Sequence, residues 1–303
     1  GQPIANFGAI KHKLGEMTTR LFAVESMVFR TAGLIDAALS HVNYESQNEA
    51  AKGAVFLGAL EEFAVESSIL KVAGSETLHF IFDENVQIHG GNGFVKDYPA
   101  ERHYRDSRVN RIFEGTNEIN RLLITGMLIK RATKGQLPLI EAAKKLQDEV
   151  MTPSVSTPPG DGVLEVQGAS AVMFKKVALA VIGLALQTYG GKLSDQQEVL
   201  SFASDILIDT YAADTTVTRA RAAADAGTTT AALQIDAATC YVNDAAMRID
   251  SAARSALAAM TDGDTLRMHL AALKRLLKVT PVNTVVLRRR LADAVVERAG
   301  YIF

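Results

Sequence analysis

The stretch RIFEGTNEIN, residues 111–120, holds the side chains best suited to chemistry. Glu114 stands between Phe113, which could form an apolar wall, and Gly115, which allows a ligand to approach the backbone closely. A carboxylate at the edge of apolar packing is costly unless it is paired, solvated or used for proton transfer. Three arginines could supply the pair: Arg105, Arg108 and Arg111. From the residues alone, the sequence favours a salt bridge for Glu114 over a catalytic role.

Other kinds of reactive site are not indicated. The six histidines never fall in a metal-binding spacing such as His-Glu-x-x-His, so we predict no metal site. The glycines of GGNGF, residues 90–94, do not predict a dinucleotide-binding fold, because they end a helical pattern and do not follow a strand. Cys240 is the only cysteine, which excludes internal disulfides and is typical of a buried small residue.

Composition and charge limit the possible partners. With 32 basic and 34 acidic residues the net charge is −2, so the chain lacks the charge pattern of a nucleic-acid-binding protein. The longest apolar run, residues 177–186, is well short of the roughly 20 residues that cross a bilayer, so we predict no transmembrane helix. The chain begins at Gly1 without methionine or leader, and we expect it to be part of a longer protein.

The elements that must position Glu114 are predicted to be helical. Apolar residues recur in steps of three and four near the start of the chain, as in the seam of a long packed helix. They are Phe7, Ile10, Leu14, Met17, Leu21, Val24 and Val28. Residues 48–88 are apolar on several faces and should form a central helical segment. Pro99 suits the start of a short helix, and Thr116 the N-cap of the next. Strand signals are absent.

Proline and glycine divide the chain in two. Four of the seven prolines fall in one short junction: Pro138, Pro153, Pro158 and Pro159. We therefore predict an all-α fold with an up-down helical bundle over residues 1–135, a flexible linker over 136–162 and a second helical bundle over 163–303. In the second part, Gly190, Gly227 and Gly263 are expected to close helices. A capping box over residues 194–197 and Thr280-Pro281 should open two others.

A basic run, Arg288 to Arg290, follows the segment LKRLLK near the end of the chain. The simplest interpretation is a solvated helix face. The alternative is a peripheral membrane patch, since cationic residues beside leucines suit an anionic lipid surface.

The segment QIHGGNGFVKDYPAERHYRDSRVNRIFEGTNEINRL, residues 87–122, resembles the terminal catalytic segment of the acyl-CoA dehydrogenase family. The resemblance extends back through ILKVAGSE to the opening GQPIANFGAIKHKL and covers about residues 1–135, the family's C-terminal helical domain. Gly8, in the pair FG, and the second helical region are similar to the very-long-chain branch and its bacterial relatives.

The resemblance implies roles for individual residues. Glu114 falls where the family has the base that removes the α-proton of a fatty acyl thioester, with Phe113 and Gly115 beside the acyl chain. Further residues match positions that contact FAD: Gln87, Gly90 and Gly91, toward the cofactor of a neighbouring subunit, and Thr116, Asn117 and Glu118. Arg121 is expected near coenzyme A. An α-proton beside a thioester is weakly acidic, so its removal needs a carboxylate shielded from water.

The implied function is α,β-desaturation of long-chain acyl-CoA in fatty acid β-oxidation, with electron-transfer flavoprotein as acceptor and a homo-oligomer, most simply a homodimer, as the assembly. The family's N-terminal and middle domains would precede Gly1, so we expect this chain alone to be inactive and to retain FAD poorly. A bacterial protein would be cytoplasmic and a eukaryotic one mitochondrial. An acyl-CoA oxidase on the same scaffold and a non-catalytic helical assembly module remain alternatives.

Overall fold

The computed structural model describes residues 1–40, 48–151 and 160–303, without the side chains of residues 150 and 151. The described residues contain no strand, and the predicted all-α fold is confirmed. The helices are α1 (Gly8–Leu39), α2 (Glu49–Glu62), α3 (Ala64–His89), α4 (Gly91–Phe94), α5 (Ala100–Arg108), α6 (Asn117–Thr133), α7 (Leu139–Met151), α8 (Glu165–Tyr189), α9 (Gln197–Asp225), α10 (Ala231–Met260), α11 (Gly263–Leu276) and α12 (Thr284–Arg298). A 3₁₀ turn precedes α1 at Ile4–Asn6, and two others lie between helices, at Val109–Arg111 and Gly190–Asp195.

The long helices α9 and α10 pack along each other, and α1 lies against both of them and against α12. Helix α3 joins α1 to α5 and α6, and α6 in turn packs on α9. One apolar core therefore includes helices from both predicted bundles. Its fully buried members include Phe22, Met27, Ile206, Ile249 and Leu291. The predicted division into two domains at the proline-rich junction stays a prediction.

The predicted seam of α1 is only partly the face that α1 buries. Leu21 and Val28, which belong to that seam, are exposed, whereas Thr19, Phe22 and Ser26 are buried. The hydroxyls of Thr19 and Ser26 donate to backbone carbonyls one turn earlier, at 2.8 and 2.6 Å. Because these bonds satisfy the polar atoms within the helix, small polar residues can occupy the packed face.

Gly15 allows the close crossing of α1 and α12. A Cβ at this position would lie 2.5 Å from the Arg288 carbonyl oxygen and 2.8 Å from its Cα, and a backbone cannot yield as a flexible side chain does. We expect Gly15→Ala to lower the free energy of unfolding by about 1–3 kcal/mol, measured by chemical denaturation.

Gly33 is the matched control for Gly15, because it lies in the same helix with nothing within 4 Å of its Cβ position. Alanine is the better helix former, so Gly33→Ala should stabilise the fold by up to about 1 kcal/mol. Equal effects at the two positions would contradict the close crossing of α1 and α12.

Several predicted boundaries need correction. The predicted linker is not a flexible connector over Leu139–Met151, because α7 forms there and packs on α8 with Leu146 buried; residues 152–159 of that linker lie outside the described residues. The central segment is two helices, broken at Phe63. Gly190 and Gly227 do adopt positive φ at helix ends, but Gly263 begins α11.

The predicted helix starts in the second half are also displaced. Residues 190–195 form a 3₁₀ turn and α9 begins without a side-chain cap, so the capping box is absent. Helix α12 begins at Thr284, three residues after Pro281, because the Asn283 side chain accepts a hydrogen bond from the Val286 N–H at 3.4 Å.

The basic run is not a solvated face at Arg288, whose side chain is buried between Glu16 of α1 and Asp244 of α10. Arg290 pairs with Asp236 at 2.6 Å. Two of the three arginines are thus neutralised by carboxylates within the chain. The alternative of a membrane patch, which also involves the segment LKRLLK, stays a prediction.

Helix α8 passes a length and composition test for a membrane span over Glu165–Asp195, with a mean hydropathy of 1.8, although the apolar run length predicted none. In the structure α8 contacts α7, α9, α10 and α11. Of its most apolar stretch 44% is buried inside the protein, so the rest is at least partly accessible to solvent.

Candidate active site around Glu114

Glu114 lies on a left-handed turn just before α6. Its φ is +54° and that of Gly115 is +75°. Glycine adopts this conformation freely, whereas glutamate adopts it only where neighbouring groups hold it. A side chain at position 115 would also lie 3.1 Å from Nδ2 of Asn120. The predicted N-cap is confirmed, since Thr116 Oγ1 accepts a hydrogen bond from the Ile119 N–H at 3.3 Å.

Two side chains hold the turn. Lys71 Nζ donates to the Gly115 carbonyl at 2.6 Å and to Asn117 Oδ1 at 2.7 Å. Asn120 Nδ2 donates to the same Gly115 carbonyl at 2.9 Å. Burial lowers the pKa of Lys71 below its ordinary value, although nearby carboxylates, Glu114 among them, act in the opposite direction. The turn is therefore fixed by a cation from α3 and an amide from α6.

Asn117 is buried and belongs to the packing of α6 on α3. Its Nδ2 donates to Ser75 Oγ at 3.0 Å and to Glu76 Oε1 at 3.1 Å, while its Oδ1 accepts from Lys71. These bonds occupy both ends of the amide. They give the side chain a positioning role, and the expectation that the stretch from Thr116 to Glu118 contacts the flavin nucleotide stays a prediction.

Arg121 is likewise tied inside the chain. Its Nη1 and Nη2 donate to the two oxygens of Glu76 at 2.8 and 3.0 Å, and its Nε donates to Asp205 Oδ1 at 2.7 Å. Burial alone would raise the pKa of Glu76, but its hydrogen bonds and charge interaction with Arg121 lower it overall. The guanidinium joins α6 to α3 and α9, and the expected place of Arg121 near coenzyme A stays a prediction.

The Glu114 side chain is exposed. No ion pair joins it to Arg105, Arg108 or Arg111, so the salt bridge that the residues alone favoured is wrong. The expected shielding from water is also not provided by the described residues. The backbone N–H of Glu114, expected to hold a thioester carbonyl, donates no hydrogen bond within the described chain and is free to do so.

Exposed apolar side chains flank Glu114 on both sides in the sequence. They are Ile112, Phe113, Ile119 and Leu123, each about half exposed. Ile119 and Leu123 are one turn apart on α6 and share a face, and Ile119 also lies against Gly115. The carboxylate is thus presented beside an apolar surface that this chain leaves uncovered, which marks an interaction site.

The other predicted cofactor residues lie at the far end of α3. Gln87, Gly90 and Gly91 are exposed, nothing lies within 4 Å of a Cβ placed at either glycine, and Gly90 has φ +59°. The Gln87 amide has no hydrogen-bond partner among the described residues. Along α3 these positions are about 24 Å from Lys71, which contacts the Glu114 turn. The open surface fits a bound cofactor, but one chain cannot bring these residues to Glu114.

Thr116 and Glu118 remain at the surface beside Glu114. Hydrogen bonds from its own backbone N–H and from the Thr116 hydroxyl lower the pKa of Glu118, so the start of α6 carries a stable negative charge. No group of metal-ligating side chains occurs within the described ranges.

Sequence reasoning missed the residues that support the turn: Lys71, Ser75, Glu76 and Asp205. The first three lie on one side of α3, spaced four and five residues apart, which places them together on a helix. That spacing was visible, but Glu76 bonds to Asn117, 41 residues away, and Asp205 bonds to Arg121, 84 residues away. Only the fold brings these charges together.

The role of Lys71 can be tested by Lys71→Met. Without the ammonium group, the Gly115 carbonyl and the Asn117 amide lose a charged donor, so we expect a loss of about 1–2 kcal/mol in the free energy of unfolding. Amide hydrogen exchange should become faster at residues 115–117. Lys130→Met, at an exposed lysine of α6 without a partner in the described chain, should change neither measurement. Unchanged exchange in Lys71→Met would show that the turn does not need this lysine.

Two family models, both described as "Acyl-CoA dehydrogenase, C-terminal domain", match the chain, one over residues 1–129 and the other over residues 173–275. A probable acyl-CoA dehydrogenase of Bacillus subtilis is 43% identical over 300 residues, which are 99% of this chain and 50% of the relative. A subunit of the caffeyl-CoA reductase–Etf complex of Acetobacterium woodii is 36% identical over 131 residues, 43% of this chain and 29% of that subunit.

A crystal structure of an acyl-CoA dehydrogenase complexed with FAD, from Bacillus anthracis, superimposes with a TM-score of 0.94 at 40% identity and covers 100% of this chain and 51% of that one. The all-helical fold, with a carboxylate on the turn that opens α6, is therefore that of the acyl-CoA dehydrogenase C-terminal domain. The chain belongs to the acyl-CoA dehydrogenase family, which confirms the resemblance seen in the sequence. It spans about half the length of the relatives that it matches throughout.

Proposed function

We propose that this chain is the C-terminal part of an FAD-dependent acyl-CoA dehydrogenase that introduces an α,β double bond into a fatty acyl-CoA, with Glu114 as the base. The observation that carries the proposal is the Glu114 turn, in which a carboxylate with strained backbone geometry is held by Lys71 and Asn120 beside an exposed apolar surface. Strained backbone that its surroundings hold in place is characteristic of functional sites.

Glu114 has the groups needed to take a proton. Its carboxylate can accept the α-proton, and its backbone N–H, unused within the described chain, can donate to a thioester oxygen as negative charge develops there. Shielding from water makes a carboxylate a stronger base, and the apolar residues beside Glu114 would supply one wall of such a pocket. The remaining walls must come from residues outside this chain.

The accompanying removal of hydride is the chemistry that FAD supplies when bound. Gln87, Gly90 and Gly91 would hold one part of FAD, and Thr116 and Glu118 another. The first group lies at the C-terminal end of α3, whereas the second lies beside Lys71, near the start of α3. Each group would therefore serve a different cofactor in a homo-oligomer, of which the simplest is a homodimer.

The substrate and partners belong to the same proposal. Long-chain acyl-CoA is the proposed substrate class, from the FG pair at Phe7 and Gly8 and the second helical region. Electron-transfer flavoprotein is the proposed acceptor, supported by the name of the relative from Acetobacterium woodii. The proposed compartment depends on the source organism: the cytoplasm in a bacterium and the mitochondrion in a eukaryote.

The experiment is an anaerobic titration of the full-length protein with acyl-CoA esters of increasing chain length, following the loss of oxidised-flavin absorbance. Reduction by palmitoyl-CoA, with electrons passing to electron-transfer flavoprotein, supports the proposal. Hydrogen peroxide formation in air at the turnover rate would identify an oxidase instead, and no reduction by any acyl-CoA would favour a non-catalytic module. The isolated 303-residue chain should bind little flavin, so stoichiometric FAD in the purified chain would contradict the need for the other domains.

A further inference from the structure

A second feature of the fold, unrelated to Glu114, is an apolar cavity of about 540 Å³ between α7, α8 and α11. No residue of α1 to α6 lines it, so it is separate from the candidate active site. Its volume falls in the range of about 300–1,000 Å³ that is typical of small-molecule sites.

The cavity has a dry floor and an open mouth. Val177, Val181 and Leu273 form part of the floor and are almost completely buried. Ile140 and Met268 are exposed at the mouth, where they extend the apolar surface outward. This shape suits a ligand with an elongated hydrocarbon part that enters from solvent.

The cavity lies against an apolar face of α8, the helix of high hydropathy. Ala180, Gly183 and Leu184 line the cavity on a face of α8 that the neighbouring helices leave partly uncovered. Gly183 is required for the cavity wall, because a Cβ there would lie 2.7 Å from the Cβ of Ala143 in α7. A membrane-like hydropathy on a partly buried helix is explained if this face binds a hydrocarbon chain.

The polar residues of the lining indicate the charge of the ligand's head. Among the described residues that line the cavity, only Lys144, Gln147, Gln187 and His269 are polar and none is acidic. The Lys144 ammonium is exposed and has no partner among the described residues, so it can pair with an anion. Burial lowers the pKa of His269, which leaves a neutral imidazole able to form a hydrogen bond at neutral pH.

We propose that the cavity between α7, α8 and α11 binds a single-chain amphiphile, a fatty acyl chain with an anionic headgroup, with the chain against α8 and the headgroup at Lys144. We infer this kind of ligand from the apolar floor, the cationic mouth and the lack of acidic residues among the described lining residues.

The first test uses the full-length protein that contains this chain and the fluorescent probe dansyl-undecanoic acid, with palmitate as competitor. Ala180→Phe fills the cavity from an exposed position, so it should weaken probe binding at least about tenfold. Val166→Phe adds the same ring to an exposed position of α8 that does not line the cavity, and should leave the affinity within about twofold. Far-ultraviolet circular dichroism checks that both variants are folded.

The second test addresses the headgroup. Lys144→Glu should weaken binding of the carboxylate probe by about two- to fivefold and leave the affinity for uncharged hexadecanol, measured by displacement of the probe, unchanged. Lys145→Glu is the control, since Lys145 is an exposed neighbour outside the cavity, and it should change neither affinity. Saturable binding that weakens at least about tenfold in Ala180→Phe but stays within about twofold in Val166→Phe supports the site. Absence of saturable binding, or equal affinities in Ala180→Phe and Val166→Phe, overturns it, and an unchanged probe affinity in Lys144→Glu overturns the anionic headgroup.

Discussion

Glu114→Gln in the full-length enzyme is expected to lower kcat by about 10²–10⁴-fold while flavin content stays unchanged. An amide has almost the size of a carboxylate but cannot accept the α-proton. The contacts that hold the turn are made by the Gly115 carbonyl, Lys71 and Asn120, not by the Glu114 side chain, so the backbone geometry should persist. Loss of turnover in this variant would therefore report on proton transfer and not on folding.

The measurement combines steady-state turnover with anaerobic single-turnover reduction by palmitoyl-CoA, together with the ratio of flavin to protein. Glu198→Gln is the matched control, since Glu198 is also an exposed glutamate near the start of a helix, α9, far from the Glu114 turn in the sequence. It should retain full activity. Turnover retained in Glu114→Gln would mean that another residue is the base, and flavin lost from it would mean that Glu114 supports the cofactor.

The candidate site was predictable where local sequence determines it. The Thr116 cap and the glycine at position 115 follow from residue types that suit a helix start and a left-handed turn, and both are present. The roles of Asn117 and Arg121 were not predictable in this way. Their side chains look free in the sequence, and only the packing of α6 on α3 and α9 shows that they are engaged.

Glu114 is exposed because the described chain does not cover the apolar surface around it. The resemblance to the family predicts a carboxylate shielded from water, yet the described chain leaves both Glu114 and its apolar neighbours Phe113 and Ile119 exposed. An apolar surface around a single carboxylate is costly in water, and covering it is favourable. On the function proposed above, this uncovered surface is where a complementary part of the enzyme would bind.

The predicted solvated face of α12 is wrong at Arg288, because the carboxylates that pair with this arginine lie far away in the sequence. The run Arg288 to Arg290 looks like a solvated face, and no acidic residue lies three or four positions from Arg288 in the sequence. In the structure Arg288 donates to Glu16, 272 residues away, and to Asp244, 44 residues away. A helix pattern describes which residues share a face, but it does not identify what covers that face.

The buried arginine gives the largest expected effect on stability. Arg288→Met should lower the free energy of unfolding by about 3–5 kcal/mol, because it removes one partner of a buried ion cluster, which takes away the ion-pair partner of Asp244 and leaves Glu16 with Arg20 alone. Arg289→Met is the control, since Arg289 is exposed in the same helix and has no partner among the described residues. Its effect should stay within about 0.5 kcal/mol in the same chemical denaturation experiment.

The effect of Arg288→Met should also depend on pH. Burial acts to raise the pKa of Glu16, but hydrogen bonds and charge interactions with Arg20 and Arg288 outweigh it and lower the pKa below its ordinary value of 4.5. Since the folded-state pKa is lowered, ionised Glu16 stabilises the fold above pH 4.5, and that stability is lost as pH falls through the folded-state pKa. Protonated carboxyls need no arginine, so the difference between wild type and Arg288→Met should shrink below pH 4.5. A difference that stays constant from pH 7 to pH 4 would point to lost packing of the Arg288 side chain in place of lost charge pairing.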